Sequence, residues 1–322
     1  MACEKYSWDY RALRTRPQRN LADTPVIIAA AILIIAVVLF DPSPAFAWGP
    51  VTHIALGVQV LATVITPEHP LQAALANLPE FFLYGSLAPD IVQGRRLQSR
   101  LRRHSHNWST GLGLLESARG NRERTFAYGY LAHLAADVVA HNFFLPAQFV
   151  GYFATGLASH IYNEACFDTL YDADYQELLL KLLAVDFRAL DAILNRAIDS
   201  PLVPFRAHRL IFEGGLRRIR QWHRVISATG GNVRIGRAEA ELFSQASSDS
   251  IAGTLAHQGE AVCCRFDPMG DQAIKSALAS RRNLQRLTRM GAQAEKSAHK
   301  LAASMLADVL AHLKQTSFSG AA

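Results

Sequence analysis

The sequence predicts an all-α protein, a multi-helix bundle, and three observations carry that prediction. Half of the 322 residues are hydrophobic while Gly (20) and Pro (13) are sparse, so the chain has material for a large core and few interruptions. Long stretches rich in Ala and Leu favour helix over strand. No run of alternating β-branched residues is present, and a half-buried strand needs one.

The elements follow in chain order. Residues 26–40 are continuously apolar, follow Lys5, Arg11, Arg14, Arg16 and Arg19, and precede Ala45-Phe46-Ala47, the order of a secretory signal peptide with a small-x-small cleavage site. About 15 apolar residues fall short of the roughly 20 that span a bilayer, which favours cleavage over anchoring. Residues 1–47 are therefore expected to be removed, leaving Trp48 with a free α-amine and the protein secreted or periplasmic.

A first mature helix is expected over 52–65, with Ile54, Leu56, Val58 and Leu61 at helical spacing and Thr52 as N-cap; Pro67 and Pro70 close it. A second over 71–83 leads into the turn Gly85-Ser86-Leu87-Ala88-Pro89-Asp90. The arginine-dense stretch Arg95, Arg96, Arg100, Arg102 and Arg103 reads as a solvated face, with a phosphate site as the alternative because His104 follows. Helices are expected over 109–118, 125–144 and 156–171, then up to about residue 314, broken at Pro201, Pro204, Gly230-Gly231 and Pro268-Met269-Gly270. The division is a metal-binding core over 48–175 and a helical part over 176–322 packing on it.

Composition excludes little. The net charge of +6 is modest and its basic residues are spread along the chain, a weak argument for anionic partners. Four cysteines are too few for a disulfide framework. Cys3 lies in the leader, and Cys166 and the neighbours Cys263 and Cys264 read as buried thiols rather than a redox or metal site.

The chemistry sits in the helix expected over 125–144. His133, Asp137 and His141 are spaced i, i+4 and i+8, which turns through only about 80° at 100° per residue, so they share one face. Everything between them is Leu, Ala or Val. Two buried imidazoles with a carboxylate between them demand partners, and a divalent cation satisfies all three. Zinc takes this mixture of nitrogen and oxygen ligands. His160 and Glu164 repeat the i, i+4 spacing, and His53, Asp90 and His104 or His106 are the upstream candidates. His208, His223, His257, His299 and His312 lack such company and read as surface or helix-face residues.

In the order Trp48-Gly49-Pro50-Val51-Thr52-His53, Gly85-Ser86-Leu87-Ala88-Pro89-Asp90, His106-Asn107-Trp108, His133-x3-Asp137 and His160-x3-Glu164, residues 48–168 resemble the zinc-dependent phospholipase C family. That resemblance implies an all-α bundle, shared with S1/P1-type nucleases, around a buried cluster of up to three zinc ions. Trp48, through its α-amine and carbonyl, would join His53 on the first metal. Asp90, His106 and His133 would hold the second, with Asp137 bridging the two, and His141, His160 and Glu164 the third. His-x-Trp favours His106, whereas distance from Asp90 is compatible with His104. The gap from Asp137 to His141 is shorter than in the bacterial phospholipases C and similar to that of the family's phospholipase D branch, which leaves the regiochemistry open. A water on zinc is acidified and the cations steady phosphate oxygens; Asp90 serves either as ligand or as general base. Tyr84, Trp108 and Phe143 line a lipid pocket or belong to the core.

The expected partner is thus a phospholipid, met in transient contact with a membrane surface, with no stable nucleic-acid partner. A nuclease, or an exported helical protein with a structural metal, are the rival readings. Against the nuclease stands Gly85-Ser86-x-x-Pro89-Asp90.

Overall fold

The computed structural model describes residues 48–64, 71–92, 103–154, 166–171, 173–198, 205–217, 221, 224 and 236–321. Among them are twelve α-helices: α1 Pro50–Thr63, α2 Gln72–Asn77, α3 Pro79–Gly85, α4 Trp108–Glu116, α5 Asn121–Val139, α6 Leu145–Gly151, α7 Ala173–Ala184, α8 Arg188–Ala197, α9 Phe205–Leu216, α10 Arg237–His257, α11 Asp271–Thr288 and α12 Ala292–Gln315. Pairing of β type among these residues is limited to one isolated bridge, Ala261 to Ala321. The expected leader, 1–47, and the Arg95–Arg102 part of the basic stretch lie outside the described residues, as does most of the helix expected over 156–171.

α5 is the axis of the bundle. Every residue from Thr125 to Val139 is buried, and α3, α4 and α10 pack against it. Its small residues make this possible. A Cβ at Gly129 would lie 1.9 Å from the Phe82 carbonyl oxygen, and one at Gly85 would lie 2.2 Å from that of Phe126, so α3 and α5 cross with backbones in contact. Gly129 and His133 are one turn apart, so the same crossing sets the end of α3 beside His133.

The periodicity expected over 125–144 is present but does not stop there. α5 widens into a π-turn, Ala140–Phe144, closed by the Leu145 N–H on the Ala140 carbonyl, and continues as α6. Pro146 gives the reason. It has no N–H for the Asn142 carbonyl and its ring collides with that group in a regular helix, so one extra residue in the preceding turn moves the carbonyl aside. Pro146 reshapes the helix where the sequence suggested an end.

Two further expectations are corrected. The segment 71–83 is two short helices, divided at Leu78 where Pro79 starts α3. Thr52 is not an N-cap: α1 begins at Pro50, with Gly49 as its cap position. The orphan N–H groups of that first turn are met from elsewhere in the chain. Asp168 accepts from Val51 N (3.3 Å), Thr52 N (2.9 Å) and Thr52 Oγ1 (2.6 Å), a carboxylate at the positive end of a helix. Gly49 makes room, since a Cβ there would fall 2.2 Å from an Asp168 oxygen.

α10 lies on α5 and α1, and α11 with α12 forms a helical hairpin on α6 and the π-turn. No described helix is long and apolar enough to cross a membrane.

Candidate metal centre

Four elements deliver the site. α1 brings His53, the short 3-10 helix Ala88–Ile91 brings Asp90, the loop before α4 brings His106, and α5 brings His133 and Asp137; all five are buried. His106 Nε2 is 3.2 Å from Asp90 Oδ1 and 3.5 Å from Asp137 Oδ2. His133 Nε2 is 3.3 Å from Asp137 Oδ2 and 3.2 Å from His106 Nε2. His53 Nε2 faces Asp137 Oδ1 at 3.4 Å, and its ring stacks on His133 with centroids 3.9 Å apart.

These atoms form two overlapping groups with metal-ligand spacing: His53, His133 and Asp137, and Asp90, His106 and His133. Asp137 turns one oxygen to each. The sequence left His104 and His106 open, and only His106 enters the groups. His104 Nε2 instead lies 3.5 Å from Asn107 Nδ2 while its carbonyl accepts from Thr110 Oγ1.

The rings are held from behind. His133 Nδ1 donates to the Ser86 carbonyl at 2.8 Å, which the α3–α5 crossing brings within reach. Ser105 Oγ lies 3.0 Å from His106 Nδ1, and the Ser105 carbonyl in turn accepts from Tyr130. His141 Nδ1 donates to the Pro268 carbonyl and lies 3.8 Å from Asp137 Oδ2. Such partners on Nδ1 fix the tautomer that leaves Nε2 as a ligand atom.

The electrostatics show which charge the cluster favours. Burial, with the neighbouring His133 charge, pushes His53 down to about 4, against the pull of Asp137. At His133 burial opposes the charge, but Asp137 and Asp90 outweigh it and raise the pKa. At Asp137 burial opposes ionisation, yet His133 and His141 hold the carboxyl well below its usual range. Two buried carboxylates therefore draw positive charge inward, and His53 Nε2 has no hydrogen-bond partner among the described residues. A divalent cation meets both demands, and the mixture of imidazole and carboxylate suits zinc.

Trp48 is fully buried. Its indole N–H donates to the Ala136 carbonyl at 3.1 Å, one residue before Asp137, and its ring packs on Phe144 and Phe167. His160 and Glu164 lie outside the described residues. Of the aromatic candidates for a lipid pocket, Tyr84 stacks on Phe187 at 4.0 Å and Phe143 packs among Phe266, Phe318 and His312, both in the core. Trp108, half-buried, donates to the Phe266 carbonyl. His208 is also buried, not a surface residue. Cys263 is buried and Cys264 half-buried, and no disulfide joins them.

Sequence reasoning missed Asp168, the Ser86 and Pro268 carbonyls and the Ser105 hydroxyl behind the rings, and a buried polar group beside the site. There Tyr84 donates to Asp191, and Arg209 reaches Tyr84, Asp191 and, at 2.8 Å, Glu213. This ties α8 and α9 to the end of α3, just before Ser86 and Asp90.

Residues 52–203 match the family model described as zinc dependent phospholipase C. No curated protein and no solved structure matches the chain.

Proposed function

Because residues 52–203 match the zinc-dependent phospholipase C family model, we propose that the chain is an exported hydrolase of phospholipid headgroup phosphodiesters. Its maturation ends in cleavage between Ala47 and Trp48, and its encounter with a membrane surface is transient. The observation that supports this reading best is the pair of ligand groups sharing His133, with Asp137 turned to both.

His53, Asp90, His106, His133 and Asp137 would hold zinc, and His141 would turn Nε2 to a third ion together with His160 and Glu164. When bound, zinc supplies Lewis-acid polarisation of the phosphate and an acidified water. The protein's own contribution is order. Ser86 and Pro268 hold His133 and His141 in one tautomer, and the low-dielectric surroundings strengthen every charge interaction inside. Attack of water on phosphorus needs an acceptor for the water's proton, and Asp90 would take that role where it does not serve as a ligand.

The test combines metal analysis with product release. We expect more than one zinc per chain and release of a phosphorylated headgroup from phosphatidylcholine, with an oligonucleotide left intact. Cleavage of the oligonucleotide alone would favour the nuclease, and full activity after exhaustive chelation would end the metal mechanism. Asp90→Asn that keeps zinc but loses turnover marks the base; loss of both marks a ligand.

A further inference from the structure

The chain's charge is not spread over the folded molecule. Between Gln272 and Lys300 lie seven of its 33 Lys and Arg (Lys275, Arg281, Arg282, Arg286, Arg289, Lys296 and Lys300) but one of its 27 Asp and Glu, Glu295. This segment alone therefore carries a net charge equal to the +6 of the whole chain and leaves the remainder balanced. It covers nearly all of α11 and the first turns of α12; the whole hairpin, Asp271–Gln315, adds Asp271, Asp308 and Lys314 and so carries +5.

Four of these charges fall on one side of α11. At 100° per residue Lys275, Arg282, Arg286 and Arg289 fall within about 60° of one another, in a stripe about 21 Å long. All four are exposed, while Ile274, Ala277, Arg281 and Leu284 turn inward. On α12, Lys296 and Lys300 are exposed on either side of the buried Ala298. At the turn joining the helices Met290 is 73 % exposed, with Arg289 beside it. Lys275 has Asp271 at 3.5 Å. The stripe also starts near the metal centre, since a Cβ at Gly270, which precedes α11, would meet His141 at 2.5 Å.

A solvated helix usually interleaves both signs. Asp271 shares the face and pairs with Lys275, so the stripe is of one sign from Arg282 to Arg289; such a stretch with an apolar residue at its tip matches a surface that is negative outside and apolar beneath. We propose that the α11–α12 hairpin is the membrane-docking surface of this protein and that its partner is a bilayer carrying anionic phospholipid. The proposal rests on the phospholipase reading only in making the bilayer the place where substrate is met. Docking through the basic stripe and Met290 holds the metal centre at a surface rich in phosphodiesters.

The experiment is flotation of the full chain with vesicles of phosphatidylcholine, with and without about one third phosphatidylglycerol, at low salt. Wild type and a K275Q/R282Q/R286Q/R289Q variant are compared, and circular dichroism checks that both fold. The readout is the ratio of partitioning between the two vesicle types, from which any affinity of the N-terminal apolar segment for both cancels. We expect wild type to prefer the anionic vesicles by at least about tenfold, from roughly 1 kcal/mol per basic residue near the surface. The preference should vanish in the variant and in 0.5 M salt, where the Debye length is roughly 4 Å against about 30 Å at 0.01 M. Met290→Ala should weaken binding at unchanged preference.

Equal partitioning of wild type, or a preference that survives in the variant, overturns the proposal. So does retention by an oligonucleotide without retention by vesicles. The Asp137→Asn protein keeps the preference if docking is correct, whatever the outcome for catalysis. Failure of the hydrolase reading is therefore told apart from failure of this one.

Discussion

Helix α5 and the α11–α12 hairpin use nearly the same alphabet, Ala and Leu with a minority of charged residues, and place their polar groups on opposite sides. α5 is buried from Thr125 to Val139, and His133 and Asp137 are inside. α12 is longer but fully buries only Ala298, Ala302 and Leu313, and its Lys296 and Lys300 face out. The difference lies in what surrounds each polar group. In α5 each ring or carboxylate has a fixed carbonyl, imidazole or carboxylate beside it, whereas in the hairpin water does that service. Composition cannot tell these cases apart, and spacing against neighbouring residues can.

Exchanging one polar group on each side separates the buried cluster from the solvated face. Asp137→Asn should lower hydrolysis by at least about 100-fold and reduce the zinc content, because an amide bridges cations poorly and leaves buried charge uncompensated. Helical circular dichroism should persist, since Asn and Asp have similar helix propensity. His299→Ala and Asp308→Asn, both on exposed positions of α12, should leave turnover and zinc unchanged. Wild-type zinc and turnover in Asp137→Asn would mean that the buried cluster has another purpose.

Glycine gives the next test. Gly129→Ala drives a methyl into the Phe82 carbonyl and should destabilise by about 3 kcal/mol, the upper range for overpacking. Gly113→Ala, in α4 where a Cβ would meet nothing within 4 Å, should stabilise by up to about 1 kcal/mol through helix propensity. Denaturant unfolding of the two variants reads both signs.

How much of this could be read in advance follows from the range of each signal. The face shared by His133 and Asp137 was legible because helical spacing is local. So was the order of His53, Asp90 and His106 along the chain. Asp168 was not, since it caps a helix that begins more than a hundred residues earlier, and no spacing rule links the two. Thr52 drew the cap reading because its hydroxyl is of the right type, but that hydroxyl is itself a donor to Asp168. Pro146 carries a clear local signal, yet whether a helix stops or widens there depends on what packs beyond it. The carbonyls of Ser86 and Pro268 are invisible in any sequence, since every residue has one.

A third probe lies between the two regions. Burial pushes His208, on α9, down to about 4, whereas in the unfolded chain it titrates near 6.5. Folding thus favours the neutral ring, and its contribution is complete above about pH 6.5 and is lost as pH falls towards 4. Between pH 7 and 5.5 this amounts to about 1 kcal/mol. His208→Gln should flatten the pH dependence of unfolding by that amount, measured on metal-stripped protein so that loss of zinc does not contribute; an unchanged slope would show that His208 takes up its proton in the fold.

The smallest effect belongs to the outer stripe. Arg286→Gln and Arg289→Gln should each change stability by less than about 0.5 kcal/mol, as exposed charges do. A larger loss would show that these side chains serve the fold.

The π-turn at Ala140–Phe144 also governs which changes of length the chain tolerates. Removing one residue there would restore an ordinary helical repeat and rotate α6 by about 100° relative to α5. Everything downstream, including the loop that offers Pro268 to His141, would lose its address. Substitutions in this turn act one position at a time, but a single-codon deletion would uncouple the two halves of the molecule at once.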